Sequence, residues 1–449
     1  MTPPDRFPAS IPYIWPAGLE PAPRNTFVQF RKTFALPTAQ RSEARIFADS
    51  RYWLWVNGAF VGRGPARFAP DAPEYDHYPV QWQAGPNVIA VLVHHWGEPN
   101  ARYIPARGGL IFDAGVAGVA SDATWRARVA PAWEPLSPRI GFQLAYTEIY
   151  DARRDAGDWL DAACDDAAWA AAEPVADPPW GPLARRMLPP FTLGARLPAR
   201  PVRRGRVQCA EAVYDLHLWL GSAQAPPRGY WVHTAVYAPA ATRATFRALS
   251  SARLQAWLEG SAMPLAEPAL PPPTLRQPLA DTVTLDLAAG WQDVAFAVAP
   301  SPDVATLTLM VPDRLGLKLA SDRDPDHDGL FYTREFVGAL PAEAPTAPGD
   351  GWRAHLPAAT RGSVARILDA EQLAGDQPCG DYPLTMQAGD WALLALDREA
   401  LGHVELDVEA PAGVTVDLGY AEHLTDAQGR ASFSAGRVMA VKQATFSAD

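Results

Sequence analysis

The sequence is poor in cysteine, in lysine and in long apolar runs, and each scarcity removes a class of protein. Three cysteines, Cys164, Cys209 and Cys379, are spread through 449 residues. They are too few and too far apart for a disulfide framework or a thiolate zinc site, and they are expected to act as small buried hydrophobes. Lysine occurs at Lys32, Lys318 and Lys442 alone, and 39 basic residues face 50 acidic ones for a formal charge of −11. No basic face for nucleic acid is therefore expected. The longest apolar stretches, such as Gly108 to Val119, are interrupted by a charge well short of the ~18 residues a membrane helix needs, so no membrane association is expected. The opening MTPPDRFPASIPYIWPAG puts Asp5, Arg6 and several prolines where a signal peptide has a cationic end and an apolar core. That points to the cytoplasm, with a periplasmic or secreted protein after processing as the alternative. Also missing are a G-x-S-x-G elbow, an H-E-x-x-H helix, a phosphate-cradling glycine loop and a dinucleotide fingerprint. Carboxylate pairs such as Glu148 with Asp151 can be nominated, but sequence does not give their separation, and no catalytic residue is assigned.

What is abundant is proline, at 46 residues about twice the usual ~5%, which disfavours long helices because proline removes a backbone donor and clashes with the preceding turn. An apolar fraction of 48% is ample for about three cores at roughly 150 residues each. Period-2 alternation over Phe27 to Phe34, Ala44 to Val61 and Asn87 to His95, punctuated by glycine and proline, predicts antiparallel strands. In WLWVNGAFVG, Trp53 to Gly62, an Asn-Gly pair between apolar runs predicts a hairpin, since both turn residues must take positive φ. Tyr52 with Leu54 and Trp53 with Trp55 fall on opposite faces, one set in the core. Short helices are expected at Asp161 to Ala172, which is alanine-rich, and at Ala365 to Leu373.

An internal echo sets the organisation. ATFRALSSARLQAWLEG, Ala244 to Gly260, repeats ARIFADSRYWLWVNG, Ala44 to Gly58, with two residues inserted, and Leu285 to Ala299 matches Tyr78 to Val93. A recurrence about 200 residues apart predicts two sandwiches of one type, 26 to about 173 and about 206 to 335, with the Trp55 and Trp257 strands equivalent. Proline-rich breaks at 174–205 and 340–351 complete the division. The expected fold is all-β, with jelly-roll-like antiparallel sandwiches in tandem: residues 1–25 an extension, 26–205 the first sandwich with an irregular end, 206–339 the second, and 340–449 a third β-domain.

Two stretches carry candidate chemistry. DPDHDGLFYTRE, Asp324 to Glu335, fits the calcium-loop pattern: Asp324, Asp326, Asp328 and Glu335 would supply oxygens and Gly329 the sharp turn. Strand-like flanks in place of paired helices favour a solvated acidic loop instead. The HHWGEPNARY loop gathers His94, His95, Trp96, Glu98, Arg102 and Tyr103 behind an apolar strand. Aromatic faces beside hydrogen-bonding groups are what a carbohydrate site uses, and structural packing is the alternative use of the same residues.

Taken as an ordered set, several stretches resemble the N-terminal β-sandwich region of bacterial α-L-rhamnosidases of glycoside hydrolase family 78. They are NTFVQFRKTF (Asn25 to Phe34), ADSRYWLWVNGAFVGRGPAR (Ala48 to Arg67), NVIAVLVHHWGE (Asn87 to Glu98), DATWRARVAPAW (Asp122 to Trp133), and EIYDARRDAGDW followed by CDDAAWAAA (Glu148 to Trp159, Cys164 to Ala172). Near the end, LGHVELDVEAPAGVTVDLGYAEHLTDAQGR (Leu401 to Arg430) resembles the β-domain that precedes the catalytic barrel in those enzymes. The resemblance implies an inverting glycoside hydrolase that removes terminal α-L-rhamnose, with catalytic carboxylates in an (α/α)6 barrel and a D-x-x-x-x-E-R-x-x-W motif. This sequence has no such motif; RRDAGDW, Arg153 to Trp159, lacks its spacing. The catalytic residues would then lie beyond residue 449, and the segment itself would be inactive scaffold that contacts a rhamnose-containing glycoside. No cofactor is required on this reading beyond the candidate calcium, and homo-oligomerisation is left open. The rival readings are a stand-alone carbohydrate-binding protein and the accessory domains of another glycosidase or a polysaccharide lyase.

Overall fold

The computed structural model describes residues 6–19, 24–100, 102–116, 118–133, 135, 146, 148–155, 157–189, 199–219, 227–250, 252–266, 279–301, 305–325, 328–345, 348–355, 359–372, 384–387, 389–396, 406–411, 414–419 and 441–445. The fold is all-β, as expected; among the described residues the helices are two single 3-10 turns, Ala152–Arg154 and Asp313–Leu315. The chain divides into two compact units, Met1–Pro135 with Ile140–Gly194 and Leu406–Asp449, and Leu136–Arg139 with Ala195–Glu405.

The first unit contains β1 (Ile14–Pro16), β2 (Thr26–Leu36), β3 (Gln40–Asp49), β4 (Arg51–Val56), β5 (Ala59–Gly64), β6 (Glu74–Trp82), β7 (Gly85–His95), β8 (Gly109–Asp113), β9 (Arg126–Val129), β10 (Glu148–Asp151), β11 (Ala170–Pro174) and β12 (Ala184–Arg185). They pair in the order β12-β6-β3-β8-β1-β11-β9-β2-β7-β4-β5, while β10 joins a small sheet with Val441–Thr445 and Thr415–Gly419. One core draws Ile46 from β3, Trp82 from β6 and Phe112 from β8 on one side, and Phe30 from β2, Leu54 from β4 and Val91 from β7 on the other. The long sheet therefore folds over on itself as a sandwich, because side chains alternate across each strand and one face of every strand must be buried. Tyr52, Leu54 and Val56 fill this core, and Trp53 and Trp55 lie half-buried on the outer face.

The second unit contains β13 (Arg200–Trp219), β14 (Arg228–Ala238), β15 (Thr242–Ser250), β16 (Leu254–Leu258), β17 (Ser261–Met263), β18 (Leu265–Ala266), β19 (Leu279–Leu287), β20 (Gly290–Ser301), β21 (Ala305–Pro312), β22 (Lys318–Leu319), β23 (Phe331–Phe336), β24 (Arg353–His355), β25 (Ala359–Gln372) and β26 (Asp390–Ala395). Its sheets run β18-β19-β15-β21-β13-β25 and β17-β16-β20-β14-β23-β24, with β26 beside β13 and β22 beside β14. Phe246, Leu285 and Leu309 from the first sheet meet Val232, Phe296 and Phe331 from the second in a single core.

The internal echo is a repeat of topology. The order β6-β3-β8-β1-β11 recurs as β19-β15-β21-β13-β25, and β9-β2-β7-β4-β5 recurs as β23-β14-β20-β16-β17. Register agrees with order: Trp55 stands opposite Ala90, which stands opposite Arg31, and Trp257 stands opposite Ala295, which stands opposite His233. The expected hairpin forms with φ of 49° at Asn57 and 77° at Gly58, and its counterpart turns on Glu259 at 47° and Gly260 at 78°. Even the anchoring recurs. The Asn57 side-chain oxygen accepts the Val88 N–H (2.8 Å), and the Glu259 carboxylate accepts the equivalent Asp293 N–H (2.6 Å).

Both expected helices are replaced. Asp161 to Trp169 is a series of turns in which Asp161 and Asp165 accept the N–H groups two residues on, at Ala163 and Ala167; such local bonds compete with helix formation. Arg31 also takes the Asp161 and Cys164 carbonyls that a helix would use itself. Ala365 to Gln372 is part of β25, paired along β13; here cross-strand pairing overrides alanine's preference, and Leu373 lies outside the described residues. Of the cysteines, Cys164 is half-buried. Cys379 lies outside the described residues, as does the Cys209 side chain.

Candidate functional site

The loop that follows β7 is built inward. His94, His95, Trp96 and Tyr103 are all at most 5% exposed, Glu98 is half-buried, and Arg102 alone of the six is exposed. The His94 ring stacks on Phe27 with centroids 3.8 Å apart, and Phe27 stacks on Trp133 at 4.3 Å. Trp96 Nε1 can only donate, and it points at His94 Nδ1 (3.2 Å), so the His94 proton resides on Nε2 and is donated to Asn25 Oδ1 (2.9 Å). Asn25 in turn donates to the Pro135 carbonyl (3.0 Å). This chain satisfies the neutral imidazole completely. Burial, followed by the charges of Arg51 and His95, pushes the His94 pKa well below its usual range.

Asp49, at the end of β3 and fully buried, ties the same loop down. Its carboxylate accepts bonds from the Tyr103 hydroxyl, the Ser50 hydroxyl (3.0 Å) and Trp180 Nε1 (3.0 Å), and His95 Nδ1 stands 3.7 Å away. Glu98 pairs with Arg24 (3.1 Å) and accepts the Tyr146 hydroxyl (2.9 Å). Five of the six nominated residues thus meet other side chains, four of them buried, and Arg102 alone is exposed.

A consequence in pH follows from His94. Above the unfolded histidine value of about 6.5 neither state carries the proton and the stability it confers is intact. Below it the unfolded chain takes up a proton that the fold refuses, so stability falls as pH drops toward the folded pKa, by up to about 1.4 kcal/mol per pH unit. In urea unfolding between pH 7 and 5, His94→Gln is expected to lose less stability than the wild type; equal losses would show that His94 is not held neutral.

The acidic loop is dispersed. Asp328 accepts the Tyr214 hydroxyl (3.0 Å) and the Leu319 N–H (2.9 Å) and pairs with Lys318 (3.3 Å). Glu335, carried away along β23, pairs with Arg228 and faces the Tyr230 hydroxyl (3.4 Å). Asp324 is half-buried in the loop, and Asp326 lies outside the described residues. Among the described residues no three His, Cys, Asp or Glu side chains are gathered as a metal site requires.

Sequence reading missed a cleft on the outer face of the second sandwich, about 390 Å³ including its mouth, lined by His233, Trp257, Glu259, Asp293 and Pro345 among others. His233 Nε2 is 3.6 Å from Asp293, Asp293 pairs with Arg323 (3.1 Å), and His233 Nδ1 meets the Ser321 hydroxyl (3.2 Å). Burial lowers the His233 pKa, against the pull of Asp293. The signal that could have found it is the repeat itself, which puts His233 at the position of Arg31. In the first sandwich the long Arg31 side chain holds the 159–166 segment against that face by four bonds, at Trp159 O (2.8 Å), Cys164 O (3.4 Å), Asp161 O and the Asp166 carboxylate. The shorter His233 leaves a polar hollow.

Compared with solved structures, the chain aligns over 98% of its length with the GH78 family rhamnosidase of Bacillus sp. GL1, at a TM-score of 0.63 and 24% identity, covering 51% of that chain. The fold is that of a GH78 rhamnosidase β-region. The chain therefore spans about half the length of the enzyme it matches. It is also similar to the α-L-rhamnosidase of Streptomyces avermitilis complexed with L-rhamnose, at 16% identity over 99% of this chain and 42% of that one, TM-score 0.27. The α-L-rhamnosidase of Aspergillus terreus aligns at 17% identity over 66% of this chain and 36% of that one, TM-score 0.35. No protein-family model and no curated protein matches the sequence.

Proposed function

We propose that this chain is the non-catalytic β-portion of an α-L-rhamnosidase-like inverting glycoside hydrolase that removes terminal α-L-rhamnose from glycosides or oligosaccharides. The observation that carries the reading is the fold shared with the Bacillus rhamnosidase along 98% of the chain. Local chemistry is in keeping with a scaffold. An inverting hydrolase needs two carboxyl groups about 6.5–9.5 Å apart across a water, one as acid and one as base. In the cleft of the second sandwich, Glu259 instead anchors a turn and Asp293 is neutralised by Arg323. The hydrolytic step is then assigned to carboxylates outside these 449 residues, acting on water without a cofactor. A gene product that continues from residue 449 into a helical barrel is expected to hydrolyse an aryl α-L-rhamnoside and to release the inverted β-anomer first, as followed by proton NMR. Release of the α-anomer first would refute inversion, and turnover of other glycosides but no rhamnoside would refute the substrate.

A further inference from the structure

The two sandwiches close the same outer face differently. In the first, the fully buried Arg31 bridges β2 and the overlying segment 159–166, where its guanidinium serves three carbonyls and the Asp166 carboxylate. In the second, the outer face of Trp231, Trp257, Ala295 and Ala297 is overlaid by Leu340, Ala344 and Trp352, and His233 stands at the register position of Arg31. A cleft remains there whose described lining includes no lysine or arginine. At about 390 Å³ including its mouth, it takes a small organic cation or several waters of about 30 Å³ each.

The side chains of His233, Asp293 and Glu259 meet in this cleft as acceptors. The Ser321 hydroxyl donates its one proton to the His233 carbonyl (2.8 Å), so its oxygen accepts from His233 Nδ1 (3.2 Å) and Nε2 carries a lone pair. His233 is 4% exposed, and its Nε2 stands 3.6 Å from Asp293 Oδ1, two acceptors with no proton between them. Burial lowers the His233 pKa against the pull of Asp293, with Arg323 acting in the same direction as burial, so the ring is neutral above the usual histidine value of about 6.5. Glu259 accepts the Asp293 N–H through one oxygen (2.6 Å) and has no cationic partner among the described residues. Asp293 Oδ2 pairs with the exposed Arg323 (3.1 Å). Two carboxylates and a lone pair against one arginine leave the cleft with an excess of negative charge. Ammonium and guanidinium groups carry only donors and a positive charge, the complement of this set.

We infer that the cleft beside His233, Glu259 and Asp293 binds the guanidinium or primary ammonium group of a small organic ligand, which takes from outside the place that Arg31 fills from within in the first sandwich. The inference stands whether or not the hydrolase assignment holds.

Titration calorimetry of the 449-residue chain at constant ionic strength tests it with methylguanidinium and methylammonium chlorides. The controls are tetramethylammonium, a cation without N–H groups, methylurea, the uncharged analogue of methylguanidinium, and L-rhamnose. Saturable binding of at least one of the two probes is the expected result, roughly tenfold or more tighter than any control, weakened by a similar factor in Glu259→Gln and lost in His233→Arg, which supplies the cation from within. Asp286→Asn, on the exposed face of β19, should bind as the wild type does. Preference for methylguanidinium would identify a guanidino ligand, and preference for methylammonium a primary amine. Glu259→Gln keeps an oxygen for the Asp293 N–H and so keeps the test decisive if His233→Arg fails to fold. No saturable binding of either probe, wild-type affinity in either folded variant, or a control that binds as tightly as the better probe would overturn the proposal.

Discussion

Replacing Arg31 with methionine is expected to destabilise the first unit by about 3–5 kcal/mol, among the largest effects of any single substitution. Arg31 is fully buried, and its guanidinium serves three backbone carbonyls and the Asp166 carboxylate. Methionine fills much of the volume but donates nothing, so each carbonyl loses its partner and Asp166 loses its counter-charge. The segment it holds carries Trp159 and Trp169, which roof Phe27, Ala90 and Leu92, so the outer apolar face would open as well. For a unit of this size the loss lowers the melting temperature by roughly 10 °C or more, and hydrogen exchange at 159–169 should accelerate before the sandwich unfolds. A shift under ~2 °C would show that the aromatic roof, and not Arg31, holds the segment.

Asp49→Ala is expected to cost a similar ~3–5 kcal/mol. Three donors end on this buried carboxylate, from Tyr103, Ser50 and Trp180. Removing the acceptor strands them where water does not reach, at about 1–3 kcal/mol each when left unsatisfied. Asp49→Asn keeps the shape and one oxygen and should lose less. Urea unfolding followed by tryptophan emission measures both, and Asp49→Ala within ~0.5 kcal/mol of wild type would mean that the loop after β7 is held by its ring contacts alone.

Much of the fold was legible because its signals are local. Asn57-Gly58 demands positive φ twice, and the alternation separates Tyr52 and Leu54 from Trp53 and Trp55 without any tertiary information, while packing decides that the Tyr52 face is the core. The repeat was legible for the same reason, since Glu259-Gly260 stands where Asn57-Gly58 does. What was not legible depends on partners distant in sequence. An alanine-rich run at 161–172 reads as helix until Arg31, 130 residues earlier, takes its carbonyls. His94, Trp96 and Tyr103 read as a rim of ring faces until Asn25, Asp49 and Phe27 are seen to claim them. Asp328 and Glu335 match a calcium pattern by spacing, yet a strand carries Glu335 ~3.3 Å further with each residue, to Arg228. The cleft at His233 left no motif, because its parts come from β14, β16, β20 and the segment around Pro345.

If, as proposed, this chain is scaffold and hydrolysis belongs to other residues, the decisive measurement is to incubate the purified 449-residue chain with an aryl α-L-rhamnoside and follow release of the aryl alcohol. No release above the uncatalysed rate, at any protein concentration that remains folded, is the predicted result. Release proportional to protein concentration, and abolished by a carboxylate substitution such as Asp293→Asn that leaves melting unchanged, would contradict the claim and place the chemistry within the sandwiches.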